Sequence, residues 1–212
     1  MGHLVWDWNG TLLDDFALVL KATNDSLAEI GGPVLTADQH RTGFRRPVIE
    51  YYASVLGRPV TPAEFAALDR SFHDRYRQGV TSCALAADAL AAIDEWPTTQ
   101  SLLSMWAHVE LVPEIERRDL TRRMLRVDGR PGDTMGDLKA EYLDRHLTAL
   151  GYQPKDCVLI GDCVDDADAA ELVGAHCVLY SGGFTDHERL ARTGRPVTVD
   201  LVGAVRLAAR IR

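Results

Sequence analysis

Short apolar runs, each followed by a stretch with helical periodicity, constrain this chain more than any other feature. His3–Trp8 reads as a strand running into the turn Asn9-Gly10. Buried strands are expected over Gln100–Met105, Arg123–Val127, Cys157–Ile160, His176–Tyr180 and Val197–Val199. Helices are expected between and after them, over Ala84–Trp96, Pro113–Arg118, Asp137–Leu150, Asp166–Val173, Asp186–Thr193 and Leu201–Ile211. Apolar strands alternating with helices imply an α/β fold: a Rossmann-like, mostly parallel sheet with helices on both faces.

One stretch breaks the rhythm. From Asp15 to about Gly79 only helical patterns recur. Phe16, Leu20, Leu27 and Ile30 mark a first helix, stopped by Gly31-Gly32-Pro33. A second starts at Arg46-Pro47 and ends at Gly57, carrying Val48, Tyr51, Tyr52 and Val55 on one side. Thr61-Pro62-Ala63-Glu64 predicts an N-cap, a proline at the first helical position and a capping box for a third, with Phe65, Leu68, Phe72 and Tyr76. The expected organisation is a core of 1–14 and 83–212 interrupted by a helical domain over 15–82.

Composition excludes several classes. At 212 residues and 46% hydrophobic content, the chain can bury a real core. A net charge of −8 argues against a partner that is nucleic acid or an anionic membrane. No apolar run approaches the ~18 residues of a membrane span, and the N-terminus lacks the pattern of a signal peptide. Cys83, Cys157, Cys163 and Cys177 form no C-x-x-C pair, so zinc is not expected and a reducing cytoplasm is. The seven histidines show no ligand spacing. Oligomeric state is not readable.

Polar residues gather where strands are expected to end, which is where open parallel sheets bind ligands. The first strand delivers Asp7, Asn9, Gly10 and Thr11; the second delivers Ser104; the fourth delivers Asp162 and Asp166. Ser101, the nearest rival to Ser104, faces another side of a regular strand. Lys139, one of only three lysines, opens a helix. Converging carboxylates repel unless a cation joins them, and hard Mg²⁺ suits oxygen ligands and bridges phosphates.

Asp7-Trp8-Asn9-Gly10-Thr11-Leu12 resembles motif one, D-x-D-G-T, of the haloacid dehalogenase (HAD) superfamily of phosphatases. Ser104, Lys139 and Gly161-Asp162-Cys163-Val164-Asp165-Asp166 are similar to motifs two, three and four. The helical block lies where that family inserts its C1 cap, and Gly182-Gly183-Phe184, with Glu188 and Leu190, is similar to a late loop of phosphoglycolate-phosphatase-like members. The resemblance implies a phosphatase acting on a small phosphorylated metabolite through an aspartyl-phosphate. It implies Asp7 as nucleophile, and Mg²⁺ on Asp7, the Asn9 carbonyl, Asp162 and Asp166. It also implies Ser104 and Lys139 on the phosphoryl oxygens, completed by backbone N–H groups around Gly10 and Thr11.

One position departs from that pattern. The family's general acid/base is the second aspartate of motif one; here it is Asn9, which exchanges no proton near neutral pH. Such help is worth ~10²–10⁴-fold, so turnover of alkyl phosphates is expected to be slow. The alternative is a catalytically impaired HAD protein that binds a phosphorylated ligand or a partner. Asn9→Asp, nearly isosteric, is expected to restore proton exchange with little loss of stability.

Overall fold

The computed structural model describes residues 2–132 and 138–211. Six strands form one parallel sheet in the order β3-β2-β1-β4-β5-β6. They are β1 (His3–Trp6), β2 (Gln100–Ala107), β3 (Val127–Arg130), β4 (Cys157–Gly161), β5 (His176–Tyr180) and β6 (Val197–Thr198). Alternate residues of β1 feed opposite layers: Leu4 and Trp6 join one core cluster, Val5 the other. The first cluster is covered by α5 (Ala89–Glu95), α6 (His108–Arg117) and α10 (Leu201–Ala208). The second is covered by α7 (Lys139–Leu150) and α8 (Val164–Val173); α9 (His187–Arg192) lies between β5 and β6. The α/β architecture is therefore the one the strand–helix alternation predicts.

Between β1 and β2 the chain folds into α1 (Phe16–Ala28), α2 (Ala37–Gly43), α3 (Val48–Leu56) and α4 (Pro62–Gly79). They share a small core of their own, built on Leu27, Tyr52, Val60, Phe65 and Leu68. Gly57 and Gly151 end α3 and α7 in the left-handed conformation, as their positions in the sequence predict.

Several expectations shift. α1 buries Val19, Ala22, Thr23, Ser26 and Leu27, whereas Ile30 lies beyond its end and is exposed. α2 is an additional helix, capped reciprocally by Thr36 and Gln39; its composition is polar and only His40 is buried, so no apolar stripe announces it. The capping box predicted for α4 is half formed. Thr61 accepts from the Glu64 N–H, but the Glu64 carboxylate is taken by Arg58. α6 starts at His108 and runs through Pro113, whose missing N–H falls opposite exposed Val109. β3 starts at Val127 because a 3₁₀ turn occupies Thr121–Arg123. The expected start of α7 at Asp137 lies outside the described residues. Among the described residues no helix is long and apolar enough to cross a membrane.

Candidate active site

β1 and β4 are neighbours in register, Trp6 beside Ile160, so the turns leaving them meet. Asp7 follows β1 and Asp162 follows β4. Asp166 sits in the first turn of α8, and its carboxylate accepts the N–H groups of Asp162 and Cys163 at 3.1 and 2.9 Å. An acid there caps its own helix and complements the dipole. Its other oxygen receives the Lys139 ammonium. That ammonium also reaches Asp7 Oδ1 at 2.9 Å, so one buried lysine joins two strand ends. Burial alone would lower the lysine's pKa; Asp166 and Asp7 overcome it and hold the group charged.

Asp162 accepts from the Thr11 hydroxyl at 2.8 Å and from the Phe184 N–H at 2.7 Å. Gly10 and Gly183 make room for it. A Cβ on Gly10, where φ is +72°, would stand 2.5 Å from the Asp162 carboxylate, and one on Gly183 would stand 2.2 Å from it. Gly10 and Thr11, expected to offer N–H groups to a phosphate, hold those groups within the turn in this structure. The Gly10 N–H goes to Leu13 O and Asp15 Oδ1, and the Thr11 N–H to Trp8 O. The tight turn engages these donors itself.

Three buried carboxylates thus gather here, two of them on one ammonium. Burial raises the pKa of Asp7 to about 7, with Asp166 adding to the rise and Lys139 opposing it. Burial, then Asp7 and Asp166, raise Asp162 well above the usual carboxylate range. A hard dication would relieve this excess of negative charge, and Asp7, Asp162 and Asp166 supply the oxygen donors it prefers. Asp162, Cys163 and Asp166 present ligand atoms within 4.8 Å of one another.

Ser104 closes the other side. Its hydroxyl donates to Asn9 Oδ1 at 3.1 Å and accepts the Trp106 N–H at 3.0 Å. Ser101 points the other way, between the Nε2 atoms of His3 and His146 at 2.6 and 2.7 Å, as strand parity requires. Asp7, Asn9, Ser104, Lys139 and Asp166 line one small recess.

Sequence reasoning missed Asp15 and Tyr76. Asn9 Nδ2 donates to Asp15 Oδ2 at 2.9 Å and lies 2.7 Å from the Tyr76 hydroxyl, which itself donates to Asp15 Oδ2 at 2.7 Å. Burial raises the Asp15 carboxyl to about 6, against the pull of its Tyr76, Asn9 and Gly10 donors. Asn9 is therefore not an isolated replacement. Its amide supplies a proton that a carboxylate would lack, so Asn9→Asp sets two buried acids against each other, contrary to the isosteric expectation. The only sequence signal was a second acid after Asp14, which reads as a helix start.

The sequence model of the HAD-hydrolase-like family matches residues 134–204. A phosphoglycolate phosphatase of Xylella fastidiosa is 28% identical over 193 residues, covering 87% of this chain and 82% of the relative. One of Aliivibrio fischeri is 25% identical, covering 93% and 91%. Among solved structures, a haloacid dehalogenase-like family protein from Streptococcus pneumoniae superposes with a TM-score of 0.83 at 15% identity, covering 100% of this chain and 99% of that one. These comparisons support a haloacid dehalogenase-like hydrolase that is similar to phosphoglycolate phosphatases.

Proposed function

We propose that this HAD hydrolase is a Mg²⁺-dependent phosphatase acting on a small phosphorylated metabolite through an aspartyl-phosphate on Asp7. The observation that carries the reading is the Lys139 ammonium shared between Asp7 and Asp166 beside Asp162. In this reading Asp7, the Asn9 carbonyl, Asp162 and Asp166 hold Mg²⁺, which when bound lets an anionic carboxylate meet an anionic phosphate. The carboxylate of Asp7 attacks phosphorus, the ester P–O bond breaks, and the leaving alkoxide takes a proton from water. Water then cleaves the acyl phosphate, returning Asp7 and releasing phosphate. Lys139 fixes the attacking oxygen and neutralises phosphoryl charge; Ser104 donates to a phosphoryl oxygen once it turns from Asn9. The helical insert over 15–82 acts as the cap, and α1–α4 carry the residues that meet the organic group.

Asn9 bears on rate. Held by Asp15, Tyr76 and Ser104, it orients but exchanges no proton, so acyl and aryl phosphates, whose leaving groups need little protonation, turn over faster than alkyl phosphates. The same feature supports the second reading, a phospho-ligand-binding protein with little turnover. A screen of phosphorylated metabolites with Mg²⁺ and with EDTA tests both. Mg²⁺-dependent release of phosphate, lost in Asp7→Asn, supports the phosphatase; ligand binding without release supports the second reading. Unchanged turnover in Asp7→Asn rules out the aspartyl-phosphate.

A further inference from the structure

The recess at Asp7 opens beside a much larger cavity. The recess holds about 30 Å³, the cavity about 350 Å³. Asn9, Phe44, Arg46, Met105 and Phe184 line both, so the two adjoin. The cavity's wall is mostly aromatic and aliphatic: Val48, Tyr52, Phe65, Phe72, Tyr76 and Trp106 are among its residues. Several of its charges are already matched, Arg46 to Asp165 at 3.3 Å and His73 to Asp69 at 3.4 Å. One polar atom stands out. His40 is 1% exposed and lines the cavity; its Nδ1 meets the Tyr51 hydroxyl at 2.8 Å, while its Nε2 is buried with no hydrogen-bond partner among the described residues.

These features describe a binding chamber. Cavities of ~300–1,000 Å³ with apolar walls and a few placed polar atoms are the usual form of small-molecule sites. A two-carbon acid such as glycolate would fill little of this one and leave its rings without contact. We propose that the cavity receives the organic group of the substrate, and that this group is apolar and ring-containing. The inference rests on the phosphatase reading of the Asp7 site and specifies its substrate class: an aryl or arylalkyl phosphomonoester. Phe44 and Phe184, at the junction, pack edge-to-face with ring centroids 5.8 Å apart and would flank the bond between phosphate and ring.

The test is a series of non-hydrolysable phosphonates, bound to the full chain with Mg²⁺ and followed by calorimetry. Methylphosphonate, 3-phosphonopropionate (a phosphoglycolate mimic), phenylmethylphosphonate and naphthylmethylphosphonate form the series. Each buried methylene should add about fourfold in affinity, so naphthylmethylphosphonate should bind at least 100-fold tighter than methylphosphonate. Ile49→Trp, which fills the cavity from α3, should cut that ratio at least tenfold. Equal affinity for methyl and naphthylmethyl ligands, or tighter binding of 3-phosphonopropionate than of either aromatic ligand, overturns this inference and leaves the phosphatase reading intact. No binding of any phosphonate, methylphosphonate included, together with no phosphate release, overturns the phosphatase reading and this one with it. The wild-type series decides the matter even if Ile49→Trp does not fold.

Discussion

Asn9 donates its side-chain amide to the Asp15 carboxylate at 2.9 Å, and this bond controls how the position can be altered. Asn9→Asp alone replaces a donor with a second buried acid and should destabilise the fold by about 1–3 kcal/mol. Exchanging the pair, Asn9→Asp with Asp15→Asn, restores one donor and one acceptor and should recover most of that loss. A double-mutant cycle in denaturant reads the coupling directly. The exchanged pair should also hydrolyse alkyl phosphates faster than wild type, with the ~10²–10⁴-fold worth of acid–base help as the ceiling. An Asn9→Asp variant as stable as wild type would show that the two side chains are not coupled.

Lys139 is the cation that holds two carboxylates together, so its loss should show in both stability and metal response. Lys139→Met should cost about 3–5 kcal/mol without divalent metal, because buried charges lose their partner. Mg²⁺ should then stabilise the variant more than it stabilises wild type. Melting temperatures with EDTA and with millimolar Mg²⁺ give the comparison. Equal Mg²⁺ increments in the two proteins would mean that lysine and metal do not share the same carboxylates.

His40 sets an acid limit. Its folded pKa is lowered to about 4, by burial first and then by Arg41, against the ordinary 6.5 of an unfolded chain. A depressed folded pKa stabilises above the unfolded value, and that stability is lost as pH falls from about 6.5 to about 4. Asp15, raised to about 6, works in the opposite sense, so the histidine's share is read as a difference. The stability of His40→Gln relative to wild type should improve by roughly 2–3 kcal/mol between pH 7 and pH 4. Parallel pH profiles for the two proteins would contradict the assignment.

Ser101 anchors the buried polar chain beneath the sheet. Its hydroxyl lies between two imidazoles, with His146 held in turn by Asp128 at 2.7 Å. Ser101→Ala strands a nitrogen on each ring and should cost about 1–3 kcal/mol per stranded group. Because the chain faces away from Ser104, phosphate release by the folded variant should stay within a few-fold of wild type. A large loss of activity without loss of stability would place Ser101 in the reaction after all.

The sheet was legible because parallel strands buried on both faces carry continuous apolar runs, as Cys157–Ile160 does. The acids at Asp7, Asp162 and Asp166 were legible because strand ends gather them whatever the loops do. The turn's internal hydrogen bonds were not: nothing in Gly10-Thr11 tells a free N–H from one spent on Leu13 or Trp8. Asp15 and Tyr76 stand 61 positions apart and meet only because α1 packs on α4, a contact that no local pattern encodes. α2 escaped for a related reason, having a cap but no apolar face.

Phe184 belongs to two assemblies at once. Its ring packs among Phe16, His40 and Phe44 of the helical insert, while its peptide N–H aims Asp162. The same seam is laced by Arg41 to the Gly183 carbonyl and by Arg189 to the carbonyls of Arg41 and Phe44. Any movement of the insert away from the sheet would therefore strip the brace from the residue that steadies Asp162. In the proposed phosphatase, cation retention and ligand enclosure would then draw on one free energy, and linkage would make the exchange symmetric: whatever clamps one would tighten the other by the same factor.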